Sequence, residues 1–286
     1  MKSQEAAAGA TYLRRYEQKY VLNEDRYQGV MELLGGNYYP DIYGKSIVYS
    51  VYYDTSDNRI IRKAFTKGGY REKLRLRSYG APEHSTETMA SSRERVLGSP
   101  LETGATVYVE LKKKYRGLTY KRRFPVSFGS FDDSGVPPLP SPEKRGLYAE
   151  FAWFYRRYDL SPAFFIRYDR LALRCTDNPT IRITFDTNIC FRRGGFTSGQ
   201  ADGLVPFSNW TPILSGPYYL MELKTVNAIP LDLSRGLSRA GIFSVSFSKS
   251  KIAYQLMVKP KQDRLPWFIA ANTIVPGTAV ILKEAI

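Results

Sequence analysis

The stretch Lys73-Leu74-Arg75-Leu76-Arg77 places a basic residue at every second position and a leucine between each pair. Because successive side chains of a β-strand point to opposite faces of a sheet, this stretch predicts a strand with one basic and one apolar face. A similar alternation recurs in residues 109–114, 181–186 and 221–224. The sequence therefore predicts a sheet in which several strands contribute to one charged face.

The rest of the chain predicts more strands of the same kind and a few helices. About eight strand-like runs are joined mostly by short turns, which indicates an α+β fold with a large antiparallel sheet. Residues 60–65 and 70–79 read as one hairpin of that sheet. Helices are predicted from Asn23 or Asp25 to Leu34 and over residues 142–158, 231–240 and 249–258.

Composition favours an anionic partner. The 286 residues contain 42 Lys and Arg against 27 Asp and Glu, a formal net charge of +15. Such an excess attracts phosphates, nucleic acid or acidic membranes, while a hydrophobic share of 43% is ample for a folded core. The sequence shows neither a signal peptide nor an apolar run of about 20 residues, the length that a membrane-spanning helix needs. A cytoplasmic protein is expected, with membrane association only through a partner.

Thiol chemistry and zinc chemistry receive little support. The two cysteines, Cys175 and Cys190, lie in or beside strand-like runs, which favours free, buried thiols and leaves a disulfide open. The only histidine, His84, falls in a polar loop, so neither a zinc site nor a Ser-His-Asp triad is indicated. Walker A, dinucleotide-binding and nucleophile-elbow motifs are also missing from the sequence.

The charged faces allow two interpretations. An ordinary sheet would turn them to water, but like charges on neighbouring strands are destabilising. A closed antiparallel β-barrel of about eight strands removes the difficulty, because its charged interior forms a tunnel around a polyanion while a few helices wrap its apolar outside. Phosphoryl transfer suits such a tunnel, since it depends on positioning and charge neutralisation more than on a protein nucleophile.

Three acids stand among these bases. Glu17, Glu110 and Glu222 each precede a lysine by two residues, which puts each acid on the same predicted face as that lysine. Each carboxylate is either an ion-pair partner or a ligand of Mg²⁺ or Mn²⁺, because hard divalent cations choose oxygen ligands. The residues alone leave both roles open.

Nine motifs follow one another along the chain: Tyr16-Glu17-Gln18-Lys19-Tyr20, Tyr52-Tyr53-Asp54-Thr55, residues 73–80, Val109-Glu110-Leu111-Lys112, Lys121-Arg122-Arg123-Phe124, Tyr168-Asp169-Arg170-Leu171-Ala172, residues 182–186, Met221-Glu222-Leu223-Lys224 and Phe247-Ser248-Lys249. This ordered set resembles the VTC domain, the polyphosphate polymerase domain of the vacuolar transporter chaperone family. That family belongs to the triphosphate tunnel metalloenzymes, also called CYTH-like. The resemblance extends over residues 14–258, which leaves residues 1–13 as a disordered lead and 259–286 as a C-terminal extension.

The resemblance implies an activity, a cofactor and a set of site residues. Members of this branch build polyphosphate from the γ-phosphate of ATP with Mn²⁺ or Mg²⁺ in a closed, charged barrel. ATP, polyphosphate, pyrophosphate and phosphate are the implied ligands, a membrane protein is a candidate partner, and DNA is not expected. The implied catalytic residues are Arg75, Arg77, Lys112, Arg170, Arg182 and Lys249, the substrate-binding residues are Lys19, Lys63, Lys121 and Arg123, and the metal-binding residues are Glu222, Glu17 and Glu110.

One departure from the family pattern keeps other functions open. The wider superfamily begins with an ExExK motif, and Arg15 stands where the first glutamate would be. Without that glutamate the chain has fewer carboxylates to hold a second metal ion, which argues against a two-metal triphosphatase. The alternatives are a triphosphatase or polyphosphatase of the same fold, and a non-catalytic module that binds polyphosphate or single-stranded nucleic acid.

Overall fold

An antiparallel sheet dominates the fold. The computed structural model describes residues 16–66, 69–80, 106–115, 118–127, 145–194, 210–214, 217–226 and 228–258. In these residues nine strands form one sheet, in the order β1-β9-β7-β6-β2-β3-β4-β5, with the short β8 paired to β7. The predicted α+β class is confirmed. The strands are β1 Tyr16–Leu22, β2 Tyr38–Asp54, β3 Arg71–Gly80, β4 Thr106–Tyr115, β5 Leu118–Ser127, β6 Ser161–Cys175, β7 Arg182–Arg193, β8 Thr211–Pro212 and β9 Tyr219–Thr225.

Local caps determine where the first helix begins and ends. Asn23 caps the first helix by accepting a hydrogen bond from the Arg26 amide (3.1 Å), and Gly35 ends it with a φ of 51°, a conformation that favours glycine. The predicted bounds of this helix are therefore confirmed. The helices are α1 Glu24–Leu34, α2 Arg59–Lys63, α3 Arg145–Tyr158, α4 Leu231–Arg239 and α5 Lys249–Val258, and a 3₁₀ turn, Gly35–Asn37, follows α1.

The strand predicted over residues 60–65 is wrong, because this segment contains helix α2. The buried carboxylate of Asp54 accepts hydrogen bonds from the amides of Ile60 (2.8 Å) and Ile61 (2.9 Å). The Thr55 hydroxyl accepts another from the Arg59 amide (2.8 Å). These side chains satisfy the amides that a helix leaves unpaired at its start, so the first turn forms despite the β-branched isoleucines.

One face of the sheet is apolar and covered by helices, as the sequence predicts. On the β1-β9-β7 side, Leu173, Ile183 and Met221 pack in a cluster that includes residues of α1 and α4. On the β3-β4-β5 side, the apolar cluster includes Phe151 and Phe154 of α3. This helix-covered side is called the outer face below, and the opposite side is called the inner face.

The sheet is strongly curled. Lys19 of β1 donates to the Phe247 carbonyl (2.9 Å), and Lys73 of β3 donates to the Ser250 hydroxyl (2.6 Å). Phe247 and Ser250 are three residues apart, a span of about 10 Å at most. A flat sheet would separate β1 from β4, six strand positions away, by about 29 Å, and yet Lys112 of β4 is among the charges that lower the pKa of Glu17 in β1. The inner face therefore curves round until its two ends approach one another.

The prediction of a closed barrel is nevertheless wrong. In the part of the chain that the structure describes, the path of paired strands ends at β1 and at β5, and these two strands do not pair with each other. The Val245 amide instead donates to the carbonyl of Lys19 in β1 (2.7 Å). The segment leading into α5 thus occupies part of the position that a closing strand would take.

Several sequence predictions concern other features of the chain. The predicted lead over residues 1–13, the extension over 259–286 and His84 lie outside the described residues. Cys175 and Cys190 are free and buried, as predicted. Among the helices of the described residues, none is both long and apolar enough to cross a membrane.

Candidate functional site

Register places most of the predicted site residues on the inner face. Lys73, Arg75 and Arg77 of β3 stand opposite Lys112, Glu110 and Tyr108 of β4, and these β4 residues stand opposite Lys121, Arg123 and Pro125 of β5. At the other end of the sheet, Glu222 of β9 is paired with Lys19 of β1 and with Thr184 of β7. Alternate residues share a face, so these side chains line the curved interior.

Glu110 is the centre of the first charged group, which we call the Glu110 cluster: Glu110, Arg75, Lys121 and Arg77. Its carboxylate is 1% exposed and lies 2.7 Å from Arg75 Nε and 2.6 Å from Lys121 Nζ. Burial by itself would raise the pKa of Glu110, but Arg75, Arg77 and Lys121 outweigh it and hold the pKa well below its ordinary value. Glu110 is therefore an anion that fixes two basic side chains.

Aromatic and hydroxyl groups orient the other bases at this end. Tyr52 accepts a hydrogen bond from Arg75 Nη1 (3.1 Å), and Ser50 accepts one from the nearly buried Arg77 (3.2 Å). Although burial opposes ionisation of the Tyr52 phenol, Arg75, Lys73 and Arg77 lower its pKa to about 8. Arg123 lies over the ring of Tyr108, 4.8 Å from its centroid.

Glu222 is the centre of the second group. Lys224 (2.7 Å), Lys249 (3.3 Å), Lys19 (3.6 Å) and Arg170 (3.9 Å) all approach its carboxylate. Burial acts to raise the pKa of Glu222, but the surrounding cations hold it well below the ordinary value. These residues and Asp186 are together called the Glu222 cluster.

Asp186 fixes two of the same bases from β7. It accepts two hydrogen bonds from Arg170 (2.6 and 2.8 Å) and one from Lys249 (2.5 Å), and its side chain is fully buried. Burial would raise the pKa of Asp186, but Arg170 and Lys249 lower it. Bidentate pairing of this kind holds a guanidinium group in one orientation.

Glu17 lies near the point where the ends of the curled sheet approach one another. It is 3.3 Å from Lys19 on its own strand. Burial acts to raise the pKa of Glu17, but Lys224, Lys19 and Lys112 of β4 are among the charges that lower it. Lys112 and the Glu222 cluster therefore face one enclosure.

Two predicted residues sit at the margins of this arrangement or beyond it. Arg182 lies on the inner face, paired in register with Lys224. Its Nε and Nη2 atoms, however, both donate to the carboxylate of Asp41 in β2 (3.0 and 2.7 Å). Lys63 is exposed on α2, with its ammonium group 5.5 Å from the ring centre of Tyr158 on α3. Because α3 covers the outer face, the structure places Lys63 away from the other predicted site residues.

The interior is enclosed but open to water. Lys121 exposes 41% of its side chain, and yet burial lowers its pKa to about 8. Burial likewise lowers the pKa of Lys112, although its side chain is exposed. The two observations agree if these lysines project into a cavity that water enters while protein surrounds it. Charges in such a cavity interact more strongly than charges on an open surface.

The acids fit a divalent ion only in part. Within the described residues, no three acidic, histidine or cysteine side chains are grouped closely enough to form a metal cage. Glu222 and Glu17 supply carboxylates at one end, and the Thr184 hydroxyl, paired in register with Glu222, is buried without a hydrogen-bond partner. This set fits an ion that takes its remaining ligands from a substrate. Glu110, the third predicted ligand, lies in the separate Glu110 cluster, where it pairs with Arg75 and Lys121.

Sequence reasoning missed several residues that shape the site. Asp186, Lys224 and Tyr52 lie within the quoted motifs, but no role was predicted for them. Asp186 could have been found, since it continues the alternation of Arg182 and Thr184 on the same face. Asp41 gave no such signal, because it lies where the pairing of β2 with β6 is interrupted between Pro40 and Lys45.

Solved structures with a loosely similar fold come from several kinds of protein. A Vibrio parahaemolyticus protein provisionally named an adenylate cyclase has a TM-score of 0.38 at 11% identity, over 84% of this chain and 97% of that chain. The Mimivirus capping enzyme triphosphatase has a TM-score of 0.32 at 10% identity, over 82% of this chain and 90% of that chain. A chain of the Schizosaccharomyces pombe Mediator head module has a TM-score of 0.34 at 14% identity, over 85% of this chain and 94% of that chain. Similarity this loose assigns no activity to this chain.

Sequence comparison gives a clear result for the family. No curated protein matches the chain. The sequence profile of the VTC domain, however, matches residues 14–258, which is most of the chain and includes every described element. The resemblance inferred from the ordered motifs is thus confirmed, and the chain belongs to the VTC domain family.

Proposed function

We propose that this protein is a polyphosphate polymerase, which transfers the γ-phosphate of ATP to the end of a polyphosphate chain held on the inner face. The observation that carries the proposal is the enclosed excess of basic side chains on a member of this family. Phosphate, pyrophosphate or the growing chain would be the nucleophile, so the protein needs to supply none.

The two charged clusters support the same task in this reaction, which is to hold basic side chains in place for contact with phosphates. Arg75 and Arg170 are held by carboxylates in defined orientations, and a guanidinium group held in this way suits bidentate contact with phosphate oxygens. Bases fixed before the substrate arrives stabilise charge that develops on the transferring phosphoryl group without reorganising. Lys112, Arg77 and Lys249 extend the same positive field along the inner face.

A divalent ion, Mn²⁺ or Mg²⁺, completes the proposed site. Glu222, with Glu17 beside it, is the proposed protein ligand, and substrate phosphates would supply further oxygens. When bound, such an ion neutralises phosphate charge and polarises the bond that breaks. Lys249 and Arg170 orient Glu222. In the protein without substrate, Glu222 serves as their ion-pair partner.

Incubation of the purified protein with ATP and Mn²⁺, with polyphosphate detection on a gel, tests the proposal. The expected result is a ladder or smear of polyphosphate that disappears with a chelator. Release of free phosphate without polymer would identify a hydrolase of the same fold. Binding of polyphosphate without turnover would identify a binding module, and either result would contradict the polymerase proposal.

A further inference from the structure

Lys73 lies on the inner face between the two clusters and belongs to neither. It stands directly opposite Lys112 in register, and Lys112 stands directly opposite Lys121. Directly opposed residues have Cβ atoms about 4.5–5.5 Å apart, and like charges in such positions destabilise a sheet. Three ammonium groups therefore form a row across β3, β4 and β5 that is more favourable with a counter-ion present.

The lysines of this row differ in what already neutralises them. Lys121 is paired with Glu110, as Arg75 is. Among the residues that the structure describes, no carboxylate lies within 4 Å of Lys73 or Lys112. The hydrogen-bond partner of Lys73 is the neutral hydroxyl of Ser250, 2.6 Å away in the first turn of α5.

The groups that face Lys73 come from five elements. Ser250 approaches from α5, Tyr52 from β2, Lys112 from β4, Lys19 from β1 and Arg75 from β3 itself. Tyr52 is the one acidic group of the five, and it ionises only near pH 8. At neutral pH, Lys73 thus faces three cations and two neutral hydroxyl groups.

We infer that Lys73 is a further substrate-contacting residue, which binds phosphate oxygens of a condensed phosphate chain together with Lys112. Ser250 holds the ammonium group of Lys73 in position when no anion is present. Each ammonium group has three N–H donors, so Lys73 can keep its bond to Ser250 and still donate to phosphate. The inference rests on the proposed function only for its ligand class, condensed phosphate, and does not depend on turnover.

The surroundings of Lys73 supply a readout that a purely structural lysine would not give. Burial lowers the pKa of Lys73 to about 8, although the Tyr52 phenol acts against the shift. Near pH 8 a substantial fraction of the free protein therefore carries a neutral Lys73. A bound polyanion favours the charged form and raises that pKa, so binding at pH 8 takes up protons.

Calorimetric titration of the protein with sodium tripolyphosphate, without divalent metal, tests this inference. The titration is carried out at pH 8 in two buffers of different protonation enthalpy, which measures both affinity and proton uptake. The variants are Lys73→Gln, Lys73→Arg and, as a matched control, Lys45→Gln, since Lys45 is exposed on a strand of the same sheet. Circular dichroism checks that each variant is folded.

Each variant has a distinct expected result. Lys73→Gln should lower the affinity about tenfold or more, the loss of one hydrogen bond to a charged group, and should reduce proton uptake. Lys73→Arg keeps a permanent charge, so it should retain most of the affinity while losing the part of the proton uptake that belongs to Lys73 itself. Lys45→Gln should match the unaltered protein in both measurements.

The inference and the proposed function fail in different ways. Unchanged affinity and uptake in Lys73→Gln, with the unaltered protein binding well, would overturn the role of Lys73 and leave the polymerase proposal intact. Loss of affinity in Lys73→Arg equal to that in Lys73→Gln would show that a positive charge at this position does not by itself sustain binding, which also overturns the inference. Absence of tripolyphosphate binding to the unaltered protein would reject the ligand class itself.

Discussion

At the scale of single residues, position in the curled sheet matters more than residue type. Lys63 and Lys112 are both lysines, and the sequence predicts phosphate-related roles for both. Lys112 faces Lys73 and Glu17 within the enclosure, whereas Lys63 is exposed against Tyr158. In the proposed function, an ammonium group in the enclosure would bind phosphate through a stronger field than one on the outer surface.

We expect Lys112→Gln to weaken tripolyphosphate binding about tenfold or more, because it removes a hydrogen-bonding charge worth about 1.5–3 kcal/mol. Lys63→Gln makes the same chemical change on the outer face and should lower the affinity by no more than about fivefold, because an exposed charge contributes at most about 1 kcal/mol. Calorimetric titration of both variants measures the difference. Equal losses would show that the protein senses its total charge rather than an enclosed site.

At the scale of elements, one carboxylate holds the short helix α2, which in turn supports helix α5. Asp54 accepts hydrogen bonds from the amides of Thr55, Ile60 and Ile61 and so fixes the start of α2. Phe65, just after α2, contacts Tyr254 of α5 with ring centres 5.9 Å apart. Helix α5 carries Lys249 and Ser250, so the position of these side chains depends partly on Asp54.

Asp54→Ala should destabilise the protein by about 2 kcal/mol, the upper end for loss of a helix cap, because two or more buried amides lose their acceptor. Urea unfolding followed by circular dichroism measures this change. Asp57→Ala is the matched control in the same turn, where an exposed pair with Arg62 contributes at most about 1 kcal/mol. A destabilisation by Asp54→Ala no larger than that of Asp57→Ala would contradict the capping role.

At the scale of the whole molecule, a chain of net charge +15 must hold many cations on one enclosed face. Buried acids make this arrangement stable in the absence of ligand. Glu110, Asp186 and Glu222 are buried, and all three have pKa values lowered by the bases around them, against the effect of burial. The fold therefore depends on a small number of ionised carboxylates.

Stability should fall as the pH drops below about 4.5. Because the pKa values of these carboxylates are lower in the folded protein than in the unfolded chain, the unfolded chain binds more protons in acid. Their contribution is complete above the unfolded values, about 3.9 for Asp and 4.3 for Glu, and is lost as the pH falls towards the folded values. Burial raises the pKa of Asp54, so this group has the opposite effect on the pH dependence of stability. It is a single group, and the three buried carboxylates named above outweigh it.

Urea unfolding at pH 6, 5, 4 and 3 measures this dependence. The free energy of unfolding should change little between pH 6 and 5 and should then fall by more than about 1.4 kcal/mol by pH 3, the equivalent of one pKa unit at one group. Constant stability down to pH 3 would show that the carboxylates are not held ionised by the fold.

Much of this arrangement could be predicted from the sequence, because strand periodicity is local. The alternation in residues 73–77 and 181–186 determines which side chains share a face, whatever the strands pair with. The cap at Asn23 and the end of α1 at Gly35 are local in the same sense. These signals, together with the ordered motifs, were sufficient to predict the antiparallel sheet, the helix-covered outer face and the family.

Only the tertiary structure decides which charges meet. Strand order and curl bring Lys19, Glu17 and Lys112 to one enclosure, although β1 and β4 are far apart in the chain. The same curl leaves the sheet open between β1 and β5, and the segment around Val245 takes part of that space. Periodicity assigns a side chain to a face, but closure and ion pairing depend on long-range curvature, which no local pattern contains.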